Sequence, residues 1–175
     1  HALRDSGARV LVYEAASQEA VNASTLAASV VRLVAGDLLG PDPQFGQVFA
    51  EPADPTPMAR ADDLSLMLYT SGTTGAPKGV PRRQHAERVA ALAHVAQNRY
   101  SYGERTLGVM PLYHTMGVRS LLTMALVAGR FVCMPRLEAP AAFRAIVPER
   151  LSHLYLVTTP YHALLAPHDF KPTDT

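Results

Sequence analysis

The segment Tyr69-Thr-Ser-Gly-Thr-Thr-Gly-Ala-Pro-Lys-Gly-Val80 constrains this chain more than any other. It carries four serine and threonine hydroxyls (Thr70, Ser71, Thr73, Thr74), three glycines (Gly72, Gly75, Gly79), one lysine (Lys78) and no acid. Glycine permits positive φ and lets a backbone approach a ligand closely. Successive N–H groups in such a loop form a concave anion site, to which Lys78 adds a point charge and the hydroxyls add donors. A plain surface turn needs one or two glycines, not an acid-free weave of glycines and hydroxyls. The apolar run Leu64-Ser-Leu-Met-Leu68 before it has strand length, and a helical pattern starts near Arg83. Strand, glycine-rich loop and helix are the setting of a phosphate-binding loop. The Walker pattern G-x-x-x-x-G-K-[ST] does not fit: Lys78 follows Pro77, Gly79 has no hydroxyl for a metal, and no later apolar strand ends in an aspartate.

Composition narrows the class. The 175 residues are 48% hydrophobic and 18% charged, with a formal net charge of +1, an ordinary globular balance. Without a basic block, nucleic acid is not the expected partner. The single cysteine, Cys133, excludes a disulfide within the chain and reads as a small core hydrophobe on a buried strand. The longest apolar run, Leu121 to Ala128, is far short of the roughly 18 residues of a membrane span. The N-terminus shows no signal-peptide pattern, so a cytoplasmic enzyme is the expectation.

Taken in order, the chain opens on His1 to Gly7, which reads as the last turn of a helix stopped by glycine; this start suggests a fragment. Ala8–Tyr13 and Val30–Val34 read as strands, with a helix over Ser17–Ala28 between them, Ser17 as N-cap and Gly36 as the stop of the second strand. From Pro41 to Asp63 five prolines and five acids predict an irregular excursion. Gln84–Tyr100 has a helical repeat with His85, Val89, Leu92, Ala93 and Ala96 near one face. Thr106–Met110, Arg130–Met134 and His153–Val157 read as strands. Gly117–Ala128, Ala139–Glu149 and Pro160–Leu165 read as helices, the last with Thr159 as possible cap. This alternation indicates an α/β fold, a mostly parallel sheet flanked by helices.

A second informative stretch, Met110-Pro-Leu-Tyr-His-Thr-Met-Gly117, lies between a strand and an apolar helix, where open α/β sheets bind ligands. The other histidines read as structural: His85 and His94 are nine apart on one helix, a spacing that suits no metal pair, and His153, His162 and His168 lie elsewhere. No metal-ligand set, carboxylate pair or nucleophilic triad is visible. Glu87, Asp169 and Asp174 read as solvated charges.

The loop Thr70-Ser-Gly-Thr-Thr-Gly-Ala-Pro-Lys-Gly79 resembles the signature of the acyl-adenylate-forming superfamily, the AMP-dependent synthetases and ligases. Pro111-Leu-Tyr-His114 through Gly117 is similar to a second signature of that family, and Leu154-Tyr-Leu-Val-Thr-Thr-Pro160 resembles the strand and turn before its adenine segment. Details from Gln84 through Gly117 lean toward acyl- or aryl-CoA ligases of the halobenzoate type. The resemblance implies ATP-dependent activation of a carboxylic acid, aromatic or medium acyl, to an acyl-adenylate, then thioester formation with CoA. ATP, Mg2+ and CoA are the implied small-molecule partners. Thr70, Ser71, Gly72, Thr73, Thr74, Gly75 and Lys78 would hold the nucleotide phosphates, with Lys78 and His114 as the catalytic pair. His114, Thr115, Met116 and Gly117 would line the acid site. The family's Tyr-Gly-x-Thr-Glu and Thr-Gly-Asp segments, its hinge and its C-terminal domain are not found. Residues 1–175 therefore read as an incomplete N-terminal domain, inactive in isolation. Two alternatives remain: an adenylation domain loading a carrier protein, and a non-catalytic nucleotide-binding or interaction module.

Overall fold

Residues of alternating exposure form the first pair of strands. In β1 (Val10–Tyr13) Tyr13 is buried while Val10 and Val12 face out, and β2 (Val31–Val34) buries Val34. The computed structural model describes residues 1–36, 40–49, 56–71 and 75–165. Two units are separable: residues 1–59 with 69–80, and residues 60–68 with 81–175.

In the first unit, α1 (Ala2–Ser6) ends at Gly7, whose φ of 63° is the left-handed stop expected of glycine there. β1 and β2 pair in parallel, Val10 opposite Val31 and Tyr13 opposite Val34. The helix expected over residues 17–28 is broken. It forms α2 (Gln18–Asn22), then a turn, then a 3-10 helix over Ala27–Ser29. Ser24 is the physical reason: its Oγ accepts the Ala27 N–H at 3.2 Å, offering the backbone an alternative to the continuing helix. Ser17 precedes α2 without a side-chain cap bond. Tyr13, Val21, Ala27 and Val34 form the core, with Leu3 and Leu11 against it. The proline-rich excursion is anchored at Asp42, which accepts from the Tyr13 hydroxyl at 2.6 Å and pairs with Arg32 at 2.8 Å. The Tyr13 hydrogen bond and then Arg32 hold the Asp42 carboxyl below its ordinary value. Within the stretch expected to be irregular, Phe45–Phe49 forms a 3-10 helix.

Strands β3 (Leu64–Thr70) and β4 (Lys78–Arg83) are hydrogen-bonded neighbours, and each has residues in both units. In the second unit, β5 (Arg105–Gly108) pairs in parallel with β6 (Arg130–Cys133). On its other side β5 meets the segment expected to be a strand over 153–157, which makes only one bridge, His153 to Thr106. The Ser152 and His153 N–H groups both converge on the Arg105 carbonyl, and Thr106 Oγ1 takes the His153 carbonyl, so the ladder stops there. Cys133 ends β6 exposed, correcting its reading as a core residue.

Helices α3 (Gln84–Asn98) and α4 (Thr115–Leu126) lie side by side. The face of α3 that turns inward carries Glu87, Ala91 and His94, whereas Val89 and Leu92 are exposed. Glu87 is 3% exposed, which corrects its reading as a solvated charge; the Arg82 guanidinium ion-pairs with it. α5 (Ala139–Glu149) carries Pro148 in its last turn and ends at Arg150 with φ 53°. α6 (Thr158–Leu165) starts two residues before Pro160, which falls in the first turn, where no N–H is needed. Leu107, Ala142, Leu156 and Leu164 form the core of this unit. Among the described residues, no helix is long and apolar enough to cross a membrane.

Candidate functional site

The glycine-rich loop belongs to the first unit, at the end of β3. Thr70 closes that strand, Ser71 follows it exposed, and Lys78 opens β4 with its side chain exposed. The expected order of strand, loop and helix is thus corrected to strand, loop, strand, helix: β4 precedes α3. Three of the expected phosphate-site residues, Gly72, Thr73 and Thr74, lie outside the described residues. Gly75 has φ 133°, a backbone angle that strains any L side chain, with open space where a Cβ would stand. Both flanks of the loop are tied to α1 and its lead-in. The Tyr69 hydroxyl reaches Asp5 Oδ2 at 2.9 Å and the Ala2 carbonyl at 3.2 Å, and His1 Nε2 lies 2.8 Å from the Pro77 carbonyl. Burial, then the Asp5 carboxylate, raises the Tyr69 phenol above its ordinary value, so it remains a neutral donor. The described ends of the loop, Thr70, Ser71 and Gly75 to Lys78, are exposed, and the sequence between Tyr69 and Val80 holds no carboxylate.

The second motif lies in the other unit and folds as a turn feeding α4. The His114 N–H donates to the Pro111 carbonyl at 3.0 Å, and the His114 carbonyl accepts from Val118 at 3.2 Å. His114 is therefore the N-cap residue by its backbone, which leaves the imidazole free of any cap bond. The ring is exposed, with the Tyr113 ring centroid 4.8 Å away at 53°. α4 begins at Thr115, two residues earlier than expected, so Thr115 and Met116 occupy its first turn. Gly117 is buried there, and a Cβ at this position would collide with the Met110 and Pro111 carbonyls, so only glycine fits. The close approach packs the Met110 and Pro111 carbonyls against the first turn of the helix.

Met116 lines an open cleft of about 440 Å³ together with Leu156, Val157, Thr158, Tyr161, His162 and Leu165. The volume is that of a small-ligand pocket, and the lining is mostly apolar. Thr115 Oγ1 accepts a hydrogen bond from Arg82 Nη1 at 3.1 Å. The structure thus joins His114, Thr115, Met116 and Gly117 in one turn beside an apolar cleft. Arg82, Tyr161 and Leu165 were not legible as site residues. The last two lie some forty residues beyond the turn, and Arg82 sits between a proline and a second arginine with nothing local to distinguish it.

Comparison with known proteins gives the family of the chain. The family described as AMP-binding enzyme matches residues 1–175. A long-chain-fatty-acid–CoA ligase of Mycobacterium tuberculosis is 30% identical over 150 residues, covering 85% of this chain and 30% of its own length. A 4-chlorobenzoate–CoA ligase of a Pseudomonas species is 34% identical over 113 residues, covering 63% of this chain and 21% of its own. Among solved structures, the inhibitor-bound N-terminal domain of FACL13 from Mycobacterium tuberculosis superposes with a TM-score of 0.81 at 25% identity, over 95% of this chain and 42% of that one. The chain spans about a third or less of the length of these curated relatives.

Proposed function

Because this chain belongs to the AMP-binding enzyme family, we propose that it is the central part of the N-terminal domain of an AMP-forming acid–CoA ligase. The observation that carries the reading is the His114 turn. An imidazole that makes no cap bond and the start of a 12-residue helix stand next to Met116, which lines an apolar cleft. The N-terminal end of a helix favours an anion, and the cleft favours an apolar body. A carboxylic acid with an aromatic or medium acyl tail has both parts. Similarity to a 4-chlorobenzoate–CoA ligase supports the aromatic part of that range, and similarity to a long-chain-fatty-acid–CoA ligase supports an apolar tail in general.

In the proposed reaction the acid's carboxylate oxygen attacks the α-phosphorus of ATP, and the bond to the bridging oxygen of pyrophosphate breaks. The CoA thiol then forms the thioester and AMP leaves. The first step brings an anion to a polyanion, so its barrier is mainly electrostatic. Lys78, Thr70, Ser71 and the loop N–H groups lower it by being set in place before charge builds on the leaving phosphates. Gly75 fits this role, since its positive φ bends the backbone without a side chain in the way. Mg2+ carried on the nucleotide phosphates would share their charge. His114 acts by polar and steric positioning of the acid. A cytoplasmic setting suits the substrates ATP and CoA.

The test is ATP–pyrophosphate exchange by the full-length protein, with and without 4-chlorobenzoate, ferulate, octanoate or palmitate. Exchange that needs one of these acids supports the reading. Lys78→Ala is expected to slow that exchange by about a hundredfold or more, the size seen when one transition-state donor is lost. Unchanged exchange in this variant would remove Lys78 from the phosphate site.

A further inference from the structure

Arg82 sits four residues after Lys78 on β4 and engages two other elements of the second unit. Its Nε pairs with Glu87 Oε1 in the first turn of α3, and its Nη1 donates to Thr115 Oγ1 at 3.1 Å. Glu87 is 3% exposed, and among the described residues its Oε1 has the Arg82 ion pair but no hydrogen-bond partner. A carboxylate so buried holds its cation firmly, because separation would strand a charge away from water. The guanidinium is planar, so fixing its Nε edge on Glu87 also fixes the direction of Nη1. That arm ends on the residue immediately after His114. The Arg82 side chain is 20% exposed.

We infer that Arg82 is a positioning residue for the acid site: anchored on Glu87, it sets the Thr115 hydroxyl and with it the His114 turn. The inference rests on the ligase reading above. It gives the buried Glu87 a purpose that helix packing alone does not supply. An apolar residue at position 87 would pack between α3 and α4 without the cost of burying a charge. Because Thr115 Oγ1 accepts from Arg82, its own proton is left to donate, which suits a carboxylate ligand.

Lysine separates anchoring from positioning, since it keeps the charge for Glu87 but has no second arm. In the full-length protein, Arg82→Lys is expected to raise the KM for the acid that best supports exchange by about five- to tenfold, the scale of one charge-assisted hydrogen bond. The KM for ATP and the melting temperature should stay at wild-type values. In a Thr115→Val background the Arg82→Lys effect should vanish, because the shared contact is already gone. Should Arg82→Lys lose stability, Thr115→Val carries the test, since it leaves the ion pair untouched. Its KM for the acid should rise and be restored by Thr115→Ser. A wild-type KM for the acid in Arg82→Lys overturns the inference. So does an equal rise in both KM values, or an effect that adds in full to that of Thr115→Val. If the wild-type protein exchanges pyrophosphate with none of the four acids, the ligase reading fails and the inference falls with it. Exchange by wild type with an unresponsive Arg82→Lys overturns the inference alone.

Discussion

Gly117 shows how one missing Cβ shapes a site. The atoms a Cβ would strike are the backbone carbonyls of Met110 and Pro111, which cannot swing aside. At Gly108 the obstacle is the Phe131 ring, a side chain that can change rotamer. Gly117→Ala should therefore cost more stability than Gly108→Ala, about 2 to 4 kcal/mol for the first, in the range of overpacking and backbone strain. Chemical denaturation of the two variants, compared by midpoint at equal slope, checks the order. In the ligase reading Gly117→Ala also moves the His114 turn, so it should raise the KM for the acid. Gly117 was legible as a motif residue, but its reason was not: a carbonyl six residues upstream folds onto it only because Pro111 and His114 close a turn.

Between α3 and its neighbours the deciding group is His94, a histidine that reads as structural. It is 7% exposed, with the Tyr155 ring centroid at 4.4 Å and Tyr100 at 5.4 Å. The Asn98 amide donates to its carbonyl at 2.9 Å and lies 3.2 Å from Nδ1, which must then accept, so the ring sits neutral. Desolvation first, then the Arg119 and His153 charges, lower its pKa below the ordinary value. A histidine with a depressed folded pKa contributes stability that is complete above its unfolded pKa of about 6.5. That stability is lost as pH falls through about 6.5 toward the folded value, because the unfolded chain takes up the proton first. Denaturation midpoints should therefore drop between pH 7.5 and 5, and His94→Gln should flatten that dependence while lowering stability at pH 7.5. An unaltered slope in the variant would assign the acid sensitivity elsewhere. The strands and helices themselves were largely legible, because strand-length apolar runs punctuated by glycine mark them locally. What escaped were facts set by tertiary partners. The inward face of α3 carries Glu87, paired with Arg82, rather than Val89 and Leu92, β4 exists because β3 offers it a ladder, and the 153–157 strand stops where two N–H groups share one carbonyl.

Across the whole chain, the parallel pair β1–β2 raises a question of coverage. Parallel sheets are ordinarily buried on both faces. Here Tyr13 and Val34 face a core, while Val10, Val12 and Val31 are 50%, 45% and 58% exposed. Burying a valine stabilises by about 1.5 kcal/mol or more, so three at one face are a substantial unmet gain. The isolated 175-residue chain is therefore expected to associate reversibly with rising concentration, and light scattering should show the mass growing above 18.9 kDa. Val10→Thr with Val12→Thr keeps β-branched residues that suit a strand but lowers the apolar area, and should shift association to higher concentration. In the full-length protein the same pair of changes separates two situations. If further chain covers this face, the double variant loses about 1 to 3 kcal/mol of stability, since a threonine hydroxyl is then buried at each site. If the face meets only water, stability is unchanged within about 0.5 kcal/mol. The chain's match to about a third of its relatives' length and the two-sided burial of parallel sheets both favour the first outcome.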